Sequence, residues 1–414
     1  MKVALIHDWL LNLGGAERVI IALHKIFPEA PIYTLVYSKK FTKKYLPNTK
    51  IVPSILQKIP FILKLYPYLP FLMPLATEAF RFDSYDLVIS SNIAFSKGVI
   101  LKPHTRHICY CHSPTRWLWD WSSEYNQEFK KRGPLKYAGV TLFQHFARIW
   151  DKAASSRVDY FIANSKNVAQ RIWKYYRQET TVIYPPLTQL LPILSPTSSE
   201  KQNRGFSIPQ PTSTKSEESG QSPIQIQNPK VQDSKFKIQN LNFPEYFLIV
   251  SQLFKHKNID IAIRAFAKLQ WPLVIIGHGP QELYLKNLAK RLGSRNIVFL
   301  GFIKDKELSW WYHNSTAFVM PQEEDFGITP IEAMSYGKPV LALRRGGAKE
   351  SIIEGVTGEF FDDPNPIVLA DGARRIWEKI KTGYYSPLVL KKHAEKFSED
   401  RFKKQILDFI ESKF

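Results

Sequence analysis

Cysteine is scarce in this chain of 414 residues, and the two that occur stand close together. Cys109 and Cys111 flank a single tyrosine, so on a strand both side chains would point to the same face. One intervening residue is a poor spacing for a disulfide or a zinc site. We therefore expect a reducing, cytoplasmic setting and no structural metal.

Long apolar runs are also missing. The nearest approach to a membrane-spanning segment, residues 59–79, is interrupted by repeated prolines, Lys64 and Glu78. The apolar run at Met1–His7 is too short for a signal peptide, and Asp8 ends it. We expect no spanning helix and no secretory leader.

Acidic residues are too few to balance the basic ones. The 37 Asp and Glu residues stand against 57 Lys and Arg residues, which gives a formal net charge of +20. Such a charge favours anionic partners, namely nucleic acid, phosphorylated ligands or an acidic membrane surface, without choosing among them. The length is too great for one ordinary core and suits two domains.

Short apolar runs alternate with helical patterns over residues 1–188. The predicted strands are 2–7, 32–36, 87–91, 107–111, 160–163 and 182–184, and the clearest helices are 16–27, 143–156 and 166–176. This alternation predicts a parallel sheet with helices on both faces.

The alternation stops after Pro185-Pro186 and resumes near Tyr246. Residues 189–243 are rich in Ser, Pro, Gln, Lys and Asn, a composition that buries too little apolar surface to offset the entropy of ordering. We predict a first domain at 1–188, a flexible insertion at 189–243 and a second α/β domain at 244–393. A C-terminal helix at 394–414 is expected to pack back toward the first domain.

The second domain repeats the strand–helix pattern. Its predicted strands are 246–250, 273–276, 297–300, 317–320 and 340–343, with helices at 259–269, 281–292, 305–313 and 330–336. Two doubly wound halves place a ligand cleft at the carboxyl ends of both sheets.

Two loops carry candidate binding chemistry. Gly14-Gly15 lies between a strand and a helix, where backbone N–H groups can approach a phosphate, although any tight turn there also favours glycine. Glu324 and Glu332 are separated by seven residues across a loop-to-helix boundary. Taken alone, Glu324 could be a solvated loop acid, and Glu332 could complete a capping box with Thr329 at the N-cap.

Other stretches give these glutamates a context. They are His7-Asp8-Trp9 with Gly14–Glu17, Tyr110–Asp120, Ser251–Asp260, Gly337–Val340 and Gly346–Glu350. With them the sequence resembles the retaining glycosyltransferases of family 4, which have the GT-B fold, two Rossmann-like domains facing each other across a cleft. The stretch Tyr110–Asp120 is similar to bacterial mannosyltransferases of polysaccharide assembly. The resemblance covers nearly all of the chain outside residues 189–242.

The resemblance implies roles for particular residues. Glu324 would contact hydroxyls of the transferred hexose, Glu332 the nucleotide ribose, and Lys257 the donor diphosphate. His112 would lie against the sugar and, with Glu324, form the catalytic pair, although a histidine after a strand is often only structural. Many family members pair the lysine with an arginine five residues earlier, where this chain has Gln252. The donor-binding residues expected on this basis are Gly14, Gly15, Gln252, Lys257, Phe326, Gly327, Ile328, Thr329 and Glu332.

The implied reaction is transfer of a hexose with retention of configuration and without a metal. The expected donor is a nucleotide sugar, GDP-mannose before UDP-hexoses, used as a substrate and not as a cofactor. The acceptor would be a saccharide or a lipid-linked molecule in cell-surface polysaccharide assembly. Two alternatives remain: an epimerase or phosphorylase of the same fold, and a non-catalytic protein that binds nucleic acid, for which we find no motif.

Two further features of the sequence fit either a packing role or a functional role. Trp117, Trp119 and Trp121 alternate and could fill a core or line a sugar site. Residues 39–80 combine seven lysines with apolar and aromatic residues, a composition typical of a membrane interface or of a core with solvated lysines. Prolines in this segment predict short helical pieces. We expect a cytoplasmic protein, peripheral at the inner face of the cell membrane, with no nucleic-acid partner.

Overall fold

The computed structural model describes residues 1–131, 133–188 and 245–414. In these residues two open sheets are built of parallel strands only, with helices packed against them. The predicted architecture of two doubly wound α/β domains is confirmed. The insertion predicted at 189–243 lies outside the described residues, as does residue 244.

The first domain contains a seven-stranded sheet. Its strands are β1 (Val3–Leu10), β2 (Ile32–Tyr37), β3 (Ile51–Pro53), β4 (Leu87–Asn92), β5 (Arg106–Cys111), β6 (Tyr160–Ala163) and β7 (Thr180–Val182). Their spatial order is β3-β2-β1-β4-β5-β6-β7. The helices are α1 (Gly15–Ile26), α2 (Lys39–Tyr45), α3 (Ile62–Leu65), α4 (Met73–Glu78), α5 (Ser122–Lys130), α6 (Pro134–Ser155) and α7 (Lys166–Tyr176).

The second domain contains a six-stranded sheet. Its strands are β8 (Phe247–Val250), β9 (Leu273–Ile276), β10 (Ile297–Gly301), β11 (Ala317–Met320), β12 (Val340–Leu343) and β13 (Gly358–Phe361), in the order β10-β9-β8-β11-β12-β13. The helices are α8 (Ile259–Leu269), α9 (Glu282–Arg291), α10 (Asp305–Asn314), α11 (Ile328–Ser335), α12 (Ala348–Ser351), α13 (Pro366–Lys381), α14 (Pro387–Glu395) and α15 (Glu399–Glu411).

Each sheet reverses its winding at one point. The reversal lies between β1 and β4 in the first domain and between β8 and β11 in the second. At such a point the connections leave neighbouring strands in opposite directions, which opens a crevice at the carboxyl ends of the strands. The loops that follow β1, β8 and β11 carry most of the residues singled out in the sequence.

The C-terminal helix α15 belongs structurally to the first domain. Phe402 and Ile406 are buried in the same apolar cluster as residues of β1 and α1, and the Phe402 ring lies 5.8 Å from that of Tyr110. Near the start of α15, Leu187 N donates to Phe397 O at 2.6 Å. The two chain segments that pass between the domains therefore run side by side.

Some elements differ from the predictions. α6 begins at Pro134 and not at 143. Its first turns are largely exposed and lack a one-sided apolar pattern, so the sequence did not predict them. The strand predicted at 182–184 lies at 180–182. The elements β3, β13, α5, α12, α13 and α14 were not predicted. None of the helices in the described part of the chain is long and apolar enough to cross a membrane.

Candidate active site

Lys257 and Glu324 meet at the switch point of the second sheet. Lys257 ends a single helical turn after β8, and Glu324 follows β11, the neighbouring strand. The Lys257 ammonium contacts one carboxylate oxygen of Glu324, and that oxygen also accepts a hydrogen bond from Gln322 Nε2 at 3.0 Å. Burial acts to raise the pKa of Glu324, but Lys257 and Gln322 outweigh it, so the pKa is lowered. Glu324 is therefore an anion at neutral pH.

Glycines hold the Glu324 loop in place. Gly347 N donates to Glu324 O at 2.9 Å, and a Cβ on Gly347 would lie 2.3 Å from Phe326 Cα. Gly327 has φ of 83°, a conformation that favours glycine over other residues. The loop carrying Glu324 is thus fixed by close backbone packing, which pre-positions its carboxylate.

Glu332 lies behind this loop and is almost fully buried. One of its carboxylate oxygens accepts a hydrogen bond from Tyr312 Oη at 2.8 Å. The other lies 3.5 Å from a guanidinium nitrogen of Arg18, which comes from α1 in the first domain. An acid held by one hydroxyl and facing an arginine across the cleft has capacity left to accept a hydrogen bond from a ligand hydroxyl.

The capping-box interpretation of Glu332 is wrong. The helix α11 begins at Ile328 with Gly327 at its N-cap, so Thr329 lies inside the first turn and caps nothing. The cause is the left-handed conformation of Gly327, which allows the chain to enter the helix two residues earlier than predicted. Helix capping therefore does not explain why Glu332 is buried.

Phe326 differs from the other donor-binding candidates. Its side chain is buried and stacks on Tyr184 of the first domain, with ring centroids 5.3 Å apart. It also contacts the ring of Phe397. The side chain thus belongs to the apolar core of the second domain, and only the backbone of this residue remains as a candidate donor contact.

The glycine loop of the first domain begins α1. Gly14 is the N-cap, and its N–H donates to Glu17 Oε2 at 2.9 Å; a Cβ on Gly14 would lie 2.7 Å from that oxygen. A Cβ on Gly15 would meet no atom within 4 Å. The absence of a side chain at Gly15 leaves the helix N-terminus accessible to an anion.

His112 follows β5 and is held by polar neighbours. Its Nε2 lies 2.8 Å from Ser91 Oγ, and its carbonyl accepts a hydrogen bond from Asn164 at 3.0 Å. Burial, with a smaller effect of His7, lowers the pKa of His112 to about 3. The ring is therefore neutral at physiological pH, suited to hydrogen bonding with a sugar and not to charge neutralisation.

The three tryptophans divide between packing and the cleft. Trp117 stacks on Phe143, and Trp119 stacks on Tyr175 while its Nε1 donates to Asp151 at 2.8 Å. Trp121 instead faces the second domain, with its ring 4.7 Å from that of His256. Only Trp121 is placed to line a ligand site between the domains.

Sequence reasoning missed a group of charges that crosses the cleft. Asp325 contacts the guanidinium groups of both Arg116 and Arg171 from the first domain, and Arg171 also contacts Asp120. Arg116 and Asp120 lie inside the stretch 110–120 that was recognised as a motif. Nothing in that stretch indicated that Arg116 would pair with Asp325, the residue after Glu324.

Acidic residues do not gather into a metal site here. In residues 1–131, 133–188 and 245–414 no group of three or more His, Cys, Asp or Glu side chains is arranged to hold a metal ion. Cys109 and Cys111 are both buried and free on β5.

Sequence comparison assigns the two halves to related families. Residues 13–188 match Glycosyltransferase Family 4, and residues 231–385 match Glycosyl transferases group 1. D-rhamnosyltransferase WbpZ of Pseudomonas aeruginosa is 33% identical over 33% of this chain and 36% of that protein. Alpha-1,3/1,6-mannosyltransferase ALG2 of Dictyostelium discoideum is 24% identical over 67% of this chain and 64% of that protein. The matches thus span less than two thirds of either relative.

Solved structures share the fold over the whole chain. HepE of Anabaena in complex with UDP-glucose has a TM-score of 0.66 at 18% identity, covering 100% of both chains. Sucrose-phosphate synthase of Thermosynechococcus elongatus has a TM-score of 0.69 at 17% identity, covering 100% of this chain and 99% of that one. Each half of the chain thus matches a glycosyltransferase family, family 4 in the first and group 1 in the second, and the chain as a whole has the GT-B fold.

Proposed function

We propose that this protein is a retaining hexosyltransferase that uses a nucleotide sugar, with GDP-mannose as first choice and a UDP-hexose as second. The observation that carries the proposal is the meeting of Lys257 and Glu324 at a switch point, with Glu332 buried behind them. A cation, a fixed anion and a second acid match the diphosphate, hexose and ribose of such a donor. Relatives named as mannosyltransferases support mannose, and a neighbour crystallised with UDP-glucose supports the alternative.

The Lys257–Glu324 contact indicates how the donor would enter. A diphosphate carries more negative charge than one carboxylate and would draw Lys257 to itself. Glu324, already ionised, would then be free to accept hydrogen bonds from hexose hydroxyls. As the nucleoside diphosphate departs, its growing charge would be met by Lys257 and by backbone N–H groups at the start of α1.

Retention would follow from a front-face reaction. The acceptor hydroxyl attacks the anomeric carbon on the side of the leaving phosphate, whose oxygen takes the hydroxyl proton. Neutral His112 would hold the sugar without competing for that proton. No metal is required in this scheme, because protein cations and helix ends supply the positive charge.

A thermal-shift screen tests the donor and the metal together. We expect GDP-mannose at one hundred times its Kd to stabilise the protein by about 2.7 kcal/mol relative to the ligand-free protein. UDP-, ADP- and dTDP-sugars at the same concentration should stabilise it less. The shift should be the same in EDTA and in Mg²⁺, since Lys257 takes the role of a metal. Absence of a shift with every nucleotide sugar would exclude the proposed donor class, and a shift that appears only with Mg²⁺ would exclude a metal-free site.

Residues 39–78 support a peripheral position at a membrane. The prolines divide the segment into short helical turns, as predicted, and its apolar residues divide between the core and the exposed surface. Leu56, Ile62 and Met73 fill the domain core, whereas Phe61 and Tyr68 are 79% and 75% exposed. All seven lysines are exposed, and no acidic residue occurs between positions 39 and 77.

The exposed start of α6 adds to this surface. Leu135, Leu142 and Phe146 are 86%, 60% and 61% exposed, and residues 134–150 contain no acid. Glu78, which ends α4, accepts a hydrogen bond of 2.9 Å from Trp150 of α6, so the two regions adjoin. Exposed apolar residues beside lysines suit an anionic membrane interface, where a lipid-linked acceptor would be met.

Liposome sedimentation tests this surface. Changing Lys39, Lys40, Lys43 and Lys44 to Glu should strongly reduce binding to anionic vesicles, since each lysine contributes about 1 kcal/mol near such a surface. Binding should also fall with salt and be absent on neutral vesicles. The matched control changes four exposed lysines of the second domain and C-terminal region to Glu: Lys391, Lys392, Lys396 and Lys403. Equal losses in both variants would mean that net charge, not this surface, mediates binding.

A further inference from the structure

The loop after β8 carries one cation in contact with Glu324, at Lys257. The position five residues earlier, Gln252, is exposed and uncharged. A donor diphosphate has two phosphate groups, and its charge increases as the glycosidic bond to it breaks. Such a charge calls for a further cation that faces the same loop from across the cleft.

Arg116 reaches this loop from the first domain. Its Nε donates to Asp325 Oδ2 at 3.1 Å, and a terminal nitrogen lies 2.5 Å from Asp325 Oδ1. Its guanidinium carbon is 4.3 Å from the centre of the Trp121 ring, and that ring lies against His256, the neighbour of Lys257. The side chain is only 17% exposed. Arg116 is thus held within the cleft beside the Lys257 turn.

The electrostatic field of Arg116 acts on the same groups as that of Lys257. Its charge contributes to the lowered pKa of Glu324 and, with burial and Lys257, to the lowering of the His256 pKa to about 4. In turn, Asp325, Glu324 and Glu323 together raise the pKa of Arg116 against the effect of burial. Arg116 and Lys257 therefore both act on Glu324.

The pairing of Asp325 allows Arg116 to change partner at low cost. Asp325 also contacts Arg171, and Arg171 contacts Asp120. If Arg116 turned from Asp325 to a phosphate, the carboxylate would keep Arg171 and would not be left as an unpaired, half-buried charge. The planar fork of arginine can bind two phosphate oxygens at once, which the Lys257 ammonium cannot do.

We infer that Arg116 supplies the second cation for the donor diphosphate and so takes the role that Gln252 cannot perform. The ligand is a nucleoside diphosphate held between Lys257 of one domain and Arg116 of the other. This inference rests on the proposed function. It also makes the phosphate site complete only when the two domains are together.

The test compares nucleoside diphosphates with monophosphates by titration calorimetry. Arg116→Gln should weaken GDP and UDP binding by about tenfold to a hundredfold, the effect of losing hydrogen bonds to a charged group. GMP and UMP, which lack the second phosphate, should keep their affinities within about twofold. Lys255→Gln removes an equal charge from the exposed surface two residues before Lys257 and should leave all four affinities unchanged.

Two more variants separate a phosphate cation from a mere link between domains. Gln252→Arg combined with Arg116→Gln should restore most of the lost diphosphate affinity, because it returns a cation to the family position. Asp325→Asn should tighten diphosphate binding, because it removes the anion that competes for Arg116. A link between domains predicts the reverse: no rescue by Gln252→Arg and weaker binding with Asp325→Asn.

Unchanged diphosphate affinity in Arg116→Gln, or equal losses for mono- and diphosphates, would overturn the inference. Retained monophosphate binding shows that the variant is folded. Failure of the proposed function gives a different result, because the unaltered protein would then bind no nucleoside diphosphate at all.

Discussion

Replacing Glu324 by glutamine should lower kcat by roughly a hundredfold or more, with little change in nucleotide affinity. The charged carboxylate would accept hydrogen bonds from the hexose as it reacts, and an amide accepts them less well. Loss of its charge also frees Lys257 for the diphosphate, so GDP binding should be equal or tighter. Steady-state kinetics and calorimetry with GDP measure the two effects separately.

The neighbouring Glu323 provides a matched control. It is exposed and differs from Glu324 by one position, so Glu323→Gln makes the same chemical change outside the proposed contact. Glu332→Gln should show the opposite division, a raised KM with a smaller effect on kcat, because ribose contacts are similar in substrate and transition state. Full activity of Glu324→Gln would remove the proposed role of this residue.

Replacing Lys97 by methionine should destabilise the first domain by about 3–5 kcal/mol, the typical cost of breaking a buried ion pair. Lys97 and Asp151 are 0% and 1% exposed, and Lys97 Nζ also donates to Ala94 O at 2.8 Å. Asp151 in addition accepts hydrogen bonds from Thr115, Trp119 and Tyr176. Without Lys97 the carboxylate would stay buried with hydrogen bonds but no counter-ion.

Thermal unfolding followed by circular dichroism measures this loss, which corresponds to roughly 10 °C in Tm for a domain of this size. The control is Lys102→Met, since Lys102 pairs with Asp83 at an exposed site and should contribute only about 0–1 kcal/mol. Replacing both partners, in Lys97→Met with Asp151→Leu, should restore part of the stability. Similar Tm values for Lys97→Met and Lys102→Met would contradict the assigned cost.

The elements predicted best from the sequence are those that depend on a local pattern of apolar residues. The strands Tyr160–Ala163 and Leu273–Ile276 were predicted at their observed bounds, because short apolar runs between turns are typical of buried parallel strands. Lys257 and Glu324 were singled out by the family resemblance, and the strand order explains why they meet, since each follows one of two adjacent strands. Neighbouring parallel strands end at one edge, so the residues after them lie together.

Contacts between distant segments could not be predicted in this way. Arg116 and Asp325 are 209 positions apart, and their contact depends on how the two domains approach each other. Asp8 is a local example: its carboxylate accepts hydrogen bonds of 2.6–3.0 Å from the backbone N–H groups of residues 93–96. The motif containing Asp8 was recognised, but this role depends on a loop more than eighty residues away.

The return of α15 to the first domain bears on how the protein folds as it leaves the ribosome. Phe402 and Ile406 complete the apolar cluster around β1 and α1, yet they are made more than two hundred residues after residue 188. Until α15 has been synthesised, an apolar surface of the first domain therefore stays uncovered. By then the second domain already has nearly all of its own strands and helices. Helix α15 closes the first domain, so that domain reaches full stability only after the second domain has been made.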